Sequence, residues 1–286
     1  MFMDRVKIAP EYSEDYLEIE RPSPLSDNVI ESLITDVMSG KIDKDISDKV
    51  YDDFKKEAEE WILGSALNNL KGLETFAKKD IIIGCTQFID TLYMKGDVQV
   101  LKHDYKYHER LNNKNIIDHY SHLLANTPLI LANPFPSTGA VHKDINNILS
   151  TALDRNCPVH IDGAWITCCK DINFDFNHPA IKSVGISLSK GLGLGWNRIG
   201  LRWSKETDND AISIMNDFRM NNRALAIIGL HFIRNLPTDY LWTKHRDQYY
   251  KVCKDFNLEP TNSIYLALKN NNPVGISPLI RYLDES

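Results

Sequence analysis

Ser187-Leu188-Ser189-Lys190-Gly191-Leu192-Gly193-Leu194-Gly195-Trp196-Asn197-Arg198-Ile199-Gly200 links two short apolar runs, 183–188 and 199–203. Runs of that length at the edges of a glycine-rich loop read as buried strands. The loop sets a lysine beside two small hydroxyl residues, with an arginine eight positions further on. That pattern suits an amine poised against a phosphorylated carbonyl compound: Lys190 can form the imine, while Ser187 and Arg198 can hold the phosphate. Two other glycine-loop motifs are excluded. Gly191-Leu192-Gly193 lacks the third glycine of a dinucleotide fingerprint, and a strand follows where that fingerprint needs a helix. In a P-loop the lysine follows the glycines; here it precedes them.

Outward from this loop the texture alternates. Upstream, Asp80-Ile81-Ile82-Ile83-Gly84 is an apolar run ended by glycine, and Phe88, Ile89, Leu92 and Tyr93 follow at helical spacing. Further apolar runs occupy 98–101, 128–132 and 158–161, with a clear helical stretch at 143–156. Strands alternating with helices imply βαβ units, hence an α/β fold with a mostly parallel sheet flanked by helices. Ahead of the sheet, Val50, Phe54, Ala58, Trp61, Ile62, Ser65, Leu70 and Leu73 predict one or two amphipathic helices over 45–76. The first forty residues are polar, punctuated by Pro22, Pro24 and Gly40, and read as an arm with one short helix. Beyond 203 the chain reads as long helices over 208–257 broken at Pro237, then a strand-like run at 263–268. The expected units are an N-terminal arm (1–44), a large α/β domain (45–236) and a reduced C-terminal small domain (237–286).

Two more motifs stand at the C-terminal ends of predicted strands, where ligands of open α/β sheets collect. Gly84-Cys85-Thr86-Gln87 lies between a strand and a helix, so backbone N–H groups form an anion site to which Thr86 adds a hydroxyl. An ordinary strand–helix turn would look the same. In His160-Ile161-Asp162-Gly163-Ala164-Trp165, an aspartate closes an apolar strand, where burial is costly without a cationic partner. A protonated pyridine nitrogen would be such a partner, and His160 lies two residues earlier on the same strand face. The alternative is an exposed aspartate in a loop.

Composition sets the outer bounds. Of 286 residues, 43% are hydrophobic and 25% charged, as in ordinary globular chains, so disordered and collagen-like classes are excluded. The formal net charge of −6, without a long basic run, argues against gripping nucleic acid by bulk charge. No apolar stretch approaches the ~20 residues of a membrane helix, and Met1-Phe2-Met3-Asp4-Arg5 does not read as a signal peptide. Five cysteines, odd in number and without C-x-x-C spacing, fit reduced thiols in a cytoplasm. No metal-ligand pattern is read.

With these residues in view, the chain resembles the fold type I pyridoxal-phosphate enzymes, specifically the class I/II aminotransferase superfamily. The resemblance runs over 81–203, with a fainter match to the end, and the Ser-x-Ser-Lys…Arg-x-Gly spacing is its specific part. It implies that Lys190 is the Schiff-base lysine and Asp162 the partner of the cofactor's pyridine nitrogen. It further implies that Gly84, Cys85 and Thr86 form one wall of a phosphate cup, with Ser187, Ser189 and Arg198 as the other. In Leu101-Lys102-His103-Asp104-Tyr105-Lys106-Tyr107, Tyr105 is the expected stacking ring on the cofactor, with a core or surface aromatic as the alternative. Arg281, the late arginine in Ser277-Pro278-Leu279-Ile280-Arg281, stands for the arginine that binds the substrate carboxylate; an exposed terminal charge is the alternative reading.

The sequence also departs from the family. Asn133-Pro134-Phe135-Pro136-Ser137-Thr138-Gly139 corresponds to the family's Asn-Pro-x-Asn-Pro-x-Gly loop, with Pro136 where an asparagine usually meets the cofactor's phenolic oxygen. Trp165 stands where a tyrosine is expected. The stretch after Lys190 is short for the family, which implies the pared-down small domain. The resemblance implies pyridoxal 5'-phosphate as cofactor, an amino acid and a keto acid as small-molecule partners, a cytoplasmic homodimer, and transamination. A decarboxylase or lyase on the same residues is the enzymatic alternative, and a non-catalytic scaffold the alternative of another class.

Overall fold

In the computed structural model, residues 9–19, 22–41, 48–195, 197–207 and 209–285 are described. Trp196 and parts of the predicted arm lie outside them. Helix α1 (Asn28–Met38) starts where the Asp27 carboxylate accepts from the N–H groups of Val29 and Ile30, both at 2.9 Å. Helix α2 (Lys49–Leu63) buries Val50, Phe54, Ala58, Trp61 and Ile62 along one stripe and ends at Gly64. The predicted helical spacing does not continue beyond it. Leu70 lies in strand β1 (Asn69–Lys71), and Leu73 opens a single 3-10 turn. Two apolar residues three apart mimicked a helix, although each is placed by its own short element.

The central elements follow in chain order: β2 (Lys78–Ile82), α3 (Cys85–Lys95), β3 (Gln99–Leu101), α4 (Tyr107–Arg110), β4 (Ile116–Ile117) and β5 (Leu129–Ala132). After these come α5 (Ile145–Asp154), β6 (Val159–Asp162), β7 (Asn173–Asp175), β8 (Ile181–Ser187) and β9 (Gly200–Ser204). Helices α6 (Ala211–Asp217), α7 (Arg223–Asn235) and α8 (Tyr240–Asp255) complete the helical stretch, and Pro237 falls in the gap between α7 and α8. The chain closes with β10 (Glu259–Pro260), β11 (Leu266–Lys269), β12 (Asn272–Gly275) and α9 (Ser277–Glu285).

Seven strands form the central sheet in the order β2-β9-β8-β6-β5-β3-β4. Strand β9 is antiparallel to both neighbours, and the remaining pairs are parallel. The C-terminal ends of β2, β3, β5, β6 and β8 therefore share one edge with the start of β9. This is a mixed α/β architecture with a mostly parallel sheet, as the sequence predicts. Both sheet faces are covered, which explains the nearly unbroken apolar strands. One face packs Leu129, Leu131, Val159 and Ile161 into the main core; the other packs Val100 and Ile130 under Phe88, Ile89 and Leu92 of α3.

The C-terminal strands form a separate antiparallel sheet, β10-β11-β12. The N-terminal segment joins it through reciprocal backbone bonds between Glu18 and Gly275. Among the described residues no helix is long and apolar enough to cross a membrane.

Candidate active site

The three sequence motifs meet at the shared sheet edge. Gly84, between β2 and α3, has φ +91°, and a Cβ on it would stand 2.6 Å from Nη2 of Arg198. Only glycine allows both that backbone angle and that approach. Arg198 reaches Thr86 Oγ1 at 3.4 Å, so a guanidinium, a hydroxyl and the first N–H groups of α3 converge. Helix-start N–H groups lack intrahelical acceptors, and together with a guanidinium they form a site for a phosphate-sized anion. Ser187, the last residue of β8, is buried.

Ser189 is engaged differently from Ser187. Its hydroxyl accepts from the Ile199 N–H and donates to the Asn197 carbonyl, both at 3.1 Å. It thereby ties the lysine loop to the entry of β9.

Asp162 closes β6 and is 4% exposed, which excludes the exposed-loop alternative. Its carboxylate accepts from the Ala164 N–H at 3.0 Å. Burial pushes its pKa up, while Lys190, Cys85 and Arg198 pull it down. The Cys85 thiol donates to the Gly185 carbonyl at 3.3 Å; burial and the neighbouring Asp162 push that thiol far up, so it is no nucleophile. His160 bonds Ser183 Oγ through Nδ1 at 2.7 Å.

The Lys190 ammonium lies 4.8 Å from the centroid of the Trp165 ring. Tyr265 meets that indole edge-on at 5.8 Å, and its hydroxyl donates to the Lys190 carbonyl at 2.7 Å. Tyr105 is 40% exposed, with its ring stacked on Tyr107 at 5.8 Å. Arg281 is 3% exposed, which removes the exposed-charge alternative. It donates to the Pro24 carbonyl and to Ser23 Oγ, and burial lowers its pKa to about 10.

Two further polar groups lie at this edge, and of these the sequence gives Asp104 no role. Asp104, just beyond β3, is buried and accepts from the N–H groups of Tyr105 and Ala132. Burial, reinforced by Asp162, raises its pKa to about 7. The rule that found Asp162, an aspartate after an apolar strand, applies equally to Asp104. Asn133 is fully buried, donates its backbone N–H to the Asp162 carbonyl at 3.0 Å, and has no hydrogen-bond partner for either amide atom among the described residues.

The donor set fits pyridoxal phosphate at each chemically distinct end: an anion cradle at Gly84, Thr86 and Arg198, a buried carboxylate at Asp162, and an amine at Lys190. The glycine cradle that a Cβ would fill is the sharpest of these fits.

No family model matches the chain, and no curated protein matches it by sequence. Solved structures do. A PLP-bound putative aminotransferase from Clostridium difficile 630 is similar with a TM-score of 0.63 at 11% identity, over 90% of this chain and 78% of that one. Tyrosine aminotransferase from Leishmania infantum gives 0.60 at 11% identity, over 88% and 81%. A PLP-bound C-S lyase from Staphylococcus hominis gives 0.61 at 9% identity, over 96% and 87%. At such identities the likeness concerns architecture. This chain has the fold of the type I pyridoxal-phosphate-dependent enzymes, the superfamily that its lysine loop resembles.

Proposed function

We propose that this protein is a pyridoxal-phosphate-dependent aminotransferase acting on an amino acid. The observation that carries the reading is the meeting of Lys190, the buried Asp162 and the Gly84–Thr86–Arg198 cradle at one sheet edge. Lys190 would hold the cofactor covalently, Asp162 would face its ring nitrogen, and Thr86, Ser187 and Arg198 would hold its phosphate. When bound, the cofactor supplies an electron sink for charge developing at the substrate's α-carbon.

The chain's own residues supply the rest. A buried carboxylate lacking a close cation favours a protonated ring nitrogen beside it, because each charge then offsets the other's desolvation. Lys190, freed when substrate takes its place, would be the base that removes the proton from the substrate's α-carbon. The Trp165 indole gives that amine a fixed resting position. Tyr105 is proposed as a ring neighbour of the cofactor, and Arg281, already buried, as the group that meets the substrate carboxylate.

Borohydride reduction of the cofactor-loaded protein, then peptide mass mapping, should put the adduct on the peptide holding Lys190. An adduct elsewhere, or none with cofactor in excess, overturns the assignment. A panel of amino acids then separates the reactions. Keto-acid release with the amino group retained on the cofactor supports transamination. Ammonia or thiol release supports a lyase, the alternative that the C-S lyase neighbour favours.

We also propose a homodimer in the cytoplasm, the latter supported by five buried cysteines that are all free. Sedimentation at micromolar concentration showing only the single-chain mass would contradict the dimer.

A further inference from the structure

The loop that carries Lys190 is held from within by turn hydrogen bonds, such as Leu194 N–H to the Ser189 carbonyl at 2.9 Å, and by the Ser189 hydroxyl. Gly191, Gly193 and Gly195 follow the lysine, and glycine offers no side chain to anchor a backbone. An amine that must meet a carbonyl carbon and later a substrate proton needs placement within a fraction of an ångström. The loop is also gripped from outside. Gly193 sits so close to the Leu25 carbonyl that a Cβ there would approach it to 2.4 Å. At the lysine itself the carbonyl accepts from the Gly193 N–H at 3.1 Å within the loop and from Tyr265, its contact from outside.

Tyr265 is 3% exposed and lies just before β11, 75 residues along the chain from Lys190. Its hydroxyl donates to the Lys190 carbonyl at 2.7 Å and accepts from the Leu25 N–H at 3.3 Å. Both roles of the hydroxyl are thus taken by backbone groups. The ring of Tyr265 braces the edge of the Trp165 indole, and the face of that indole lies 4.8 Å from the Lys190 ammonium. One tyrosine therefore touches the lysine's backbone directly and its ammonium through the indole.

We infer that Tyr265 is the positioning residue for Lys190, clamping its carbonyl by a hydrogen bond and bracing the Trp165 ring on which its ammonium rests. The inference rests on Lys190 being the reactive amine. In this arrangement the C-terminal unit orders the lysine. Trp165 acts through its ring face: an ammonium over an indole is held by the ring quadrupole, which Phe supplies more weakly and Leu does not.

The test uses the full-length, cofactor-free protein and trace labelling of lysines with acetic anhydride, read residue by residue by mass spectrometry. Lys56 and Lys102, on α2 and beyond β3, are internal references. Tyr265→Phe keeps the ring and removes the hydroxyl, so the labelling rate of Lys190 should rise at least about threefold relative to both references. An unchanged ratio in a variant with parental circular dichroism overturns the clamp.

A second pair decides the ring's part even where Tyr265→Phe folds poorly. Trp165→Phe should raise the Lys190 ratio only slightly, whereas Trp165→Leu should raise it clearly more. Equal rises in both variants overturn the role of the ring face. Because labelling needs no cofactor, its outcome is independent of the borohydride adduct, so failure of the clamp and failure of the functional reading are told apart.

Discussion

Two buried carboxylates in the same sheet live under opposite conditions. Asp80, in β2, accepts from Nε and Nη2 of Arg202 at 3.2 and 2.6 Å, and Arg202 also binds Asp210 at 2.6 Å and Ser213 at 2.8 Å. Asp162, in β6, accepts from the Ala164 N–H and is influenced by Lys190, the Cys85 thiol and Arg198. The first arrangement is an ion-paired network joining β2, β9 and α6, in which Asp80 Oδ1 has no hydrogen-bond partner among the described residues and only the Lys78 ammonium at 3.9 Å. The second leaves much of the desolvation of a carboxylate unbalanced, and its pKa is raised in consequence. A guanidinium in direct contact ties Asp80 into the fold, whereas Asp162, at the sheet edge, has no such ion pair among the described residues.

The largest effect should come from breaking the Asp80–Arg202 ion pair. Arg202→Ala strands Asp80 without its guanidinium and should cost about 3–5 kcal/mol in urea unfolding, the usual penalty for an uncompensated buried charge. Asp162→Asn should do the reverse: folding stability within ~1 kcal/mol of the parent, but turnover lower by about 10²–10³-fold through loss of fixed charge at the reacting group. If Asp162→Asn destabilised the fold as much as Arg202→Ala, the contrast would collapse.

Asp104 sharpens the comparison through pH. Its folded pKa of about 7 lies above the unfolded carboxylate value of ~4. The folded chain thus keeps a proton that the unfolded chain has lost, so this group lowers stability as pH rises from ~4 to 7. Asp104→Asn removes that dependence, so stability relative to the parent should improve by about 2–3 kcal/mol between pH 5 and pH 8. A flat difference across that range would mean that Asp104 is already ionised at pH 5. The smallest effect is expected at the loop's internal tie: Ser189→Ala should cost about 1 kcal/mol and leave the adduct at Lys190 in place. Loss of the adduct would support Ser189 as part of the phosphate cup.

What could be read in the sequence follows physical locality. Strands buried on both faces are apolar runs bounded by glycine or proline, so β5 and β6 stand out, while β2 and β8 show only their apolar halves. Strand β4 has two residues within a polar stretch and gives no such signal. Lys190 and Arg198 share one loop, so their partnership was legible. The hydroxyl of Ser189 faces inward, which its spacing could not reveal, since Ser187 and Ser189 look alike in a string of letters. The burial of Arg281 depends on Ser23 and Pro24, more than 250 residues earlier in the chain. Tyr265 likewise acquires its meaning only when β11 is set beside the lysine loop.

The antiparallel course of β9 has a consequence for the order in which the molecule is built. Because β9 returns beside β8, Lys190 and Arg198 lie on a hairpin closed by neighbouring residues, the kind of contact with a low entropic cost of closure. During synthesis this hairpin can pair as soon as Ser204 has emerged. The tyrosine that fixes the lysine's carbonyl is translated 75 residues after it. A nascent or truncated chain would thus carry Lys190 on an assembled hairpin before Tyr265 is in place. Precise placement of that amine becomes a report that the C-terminus has arrived and docked.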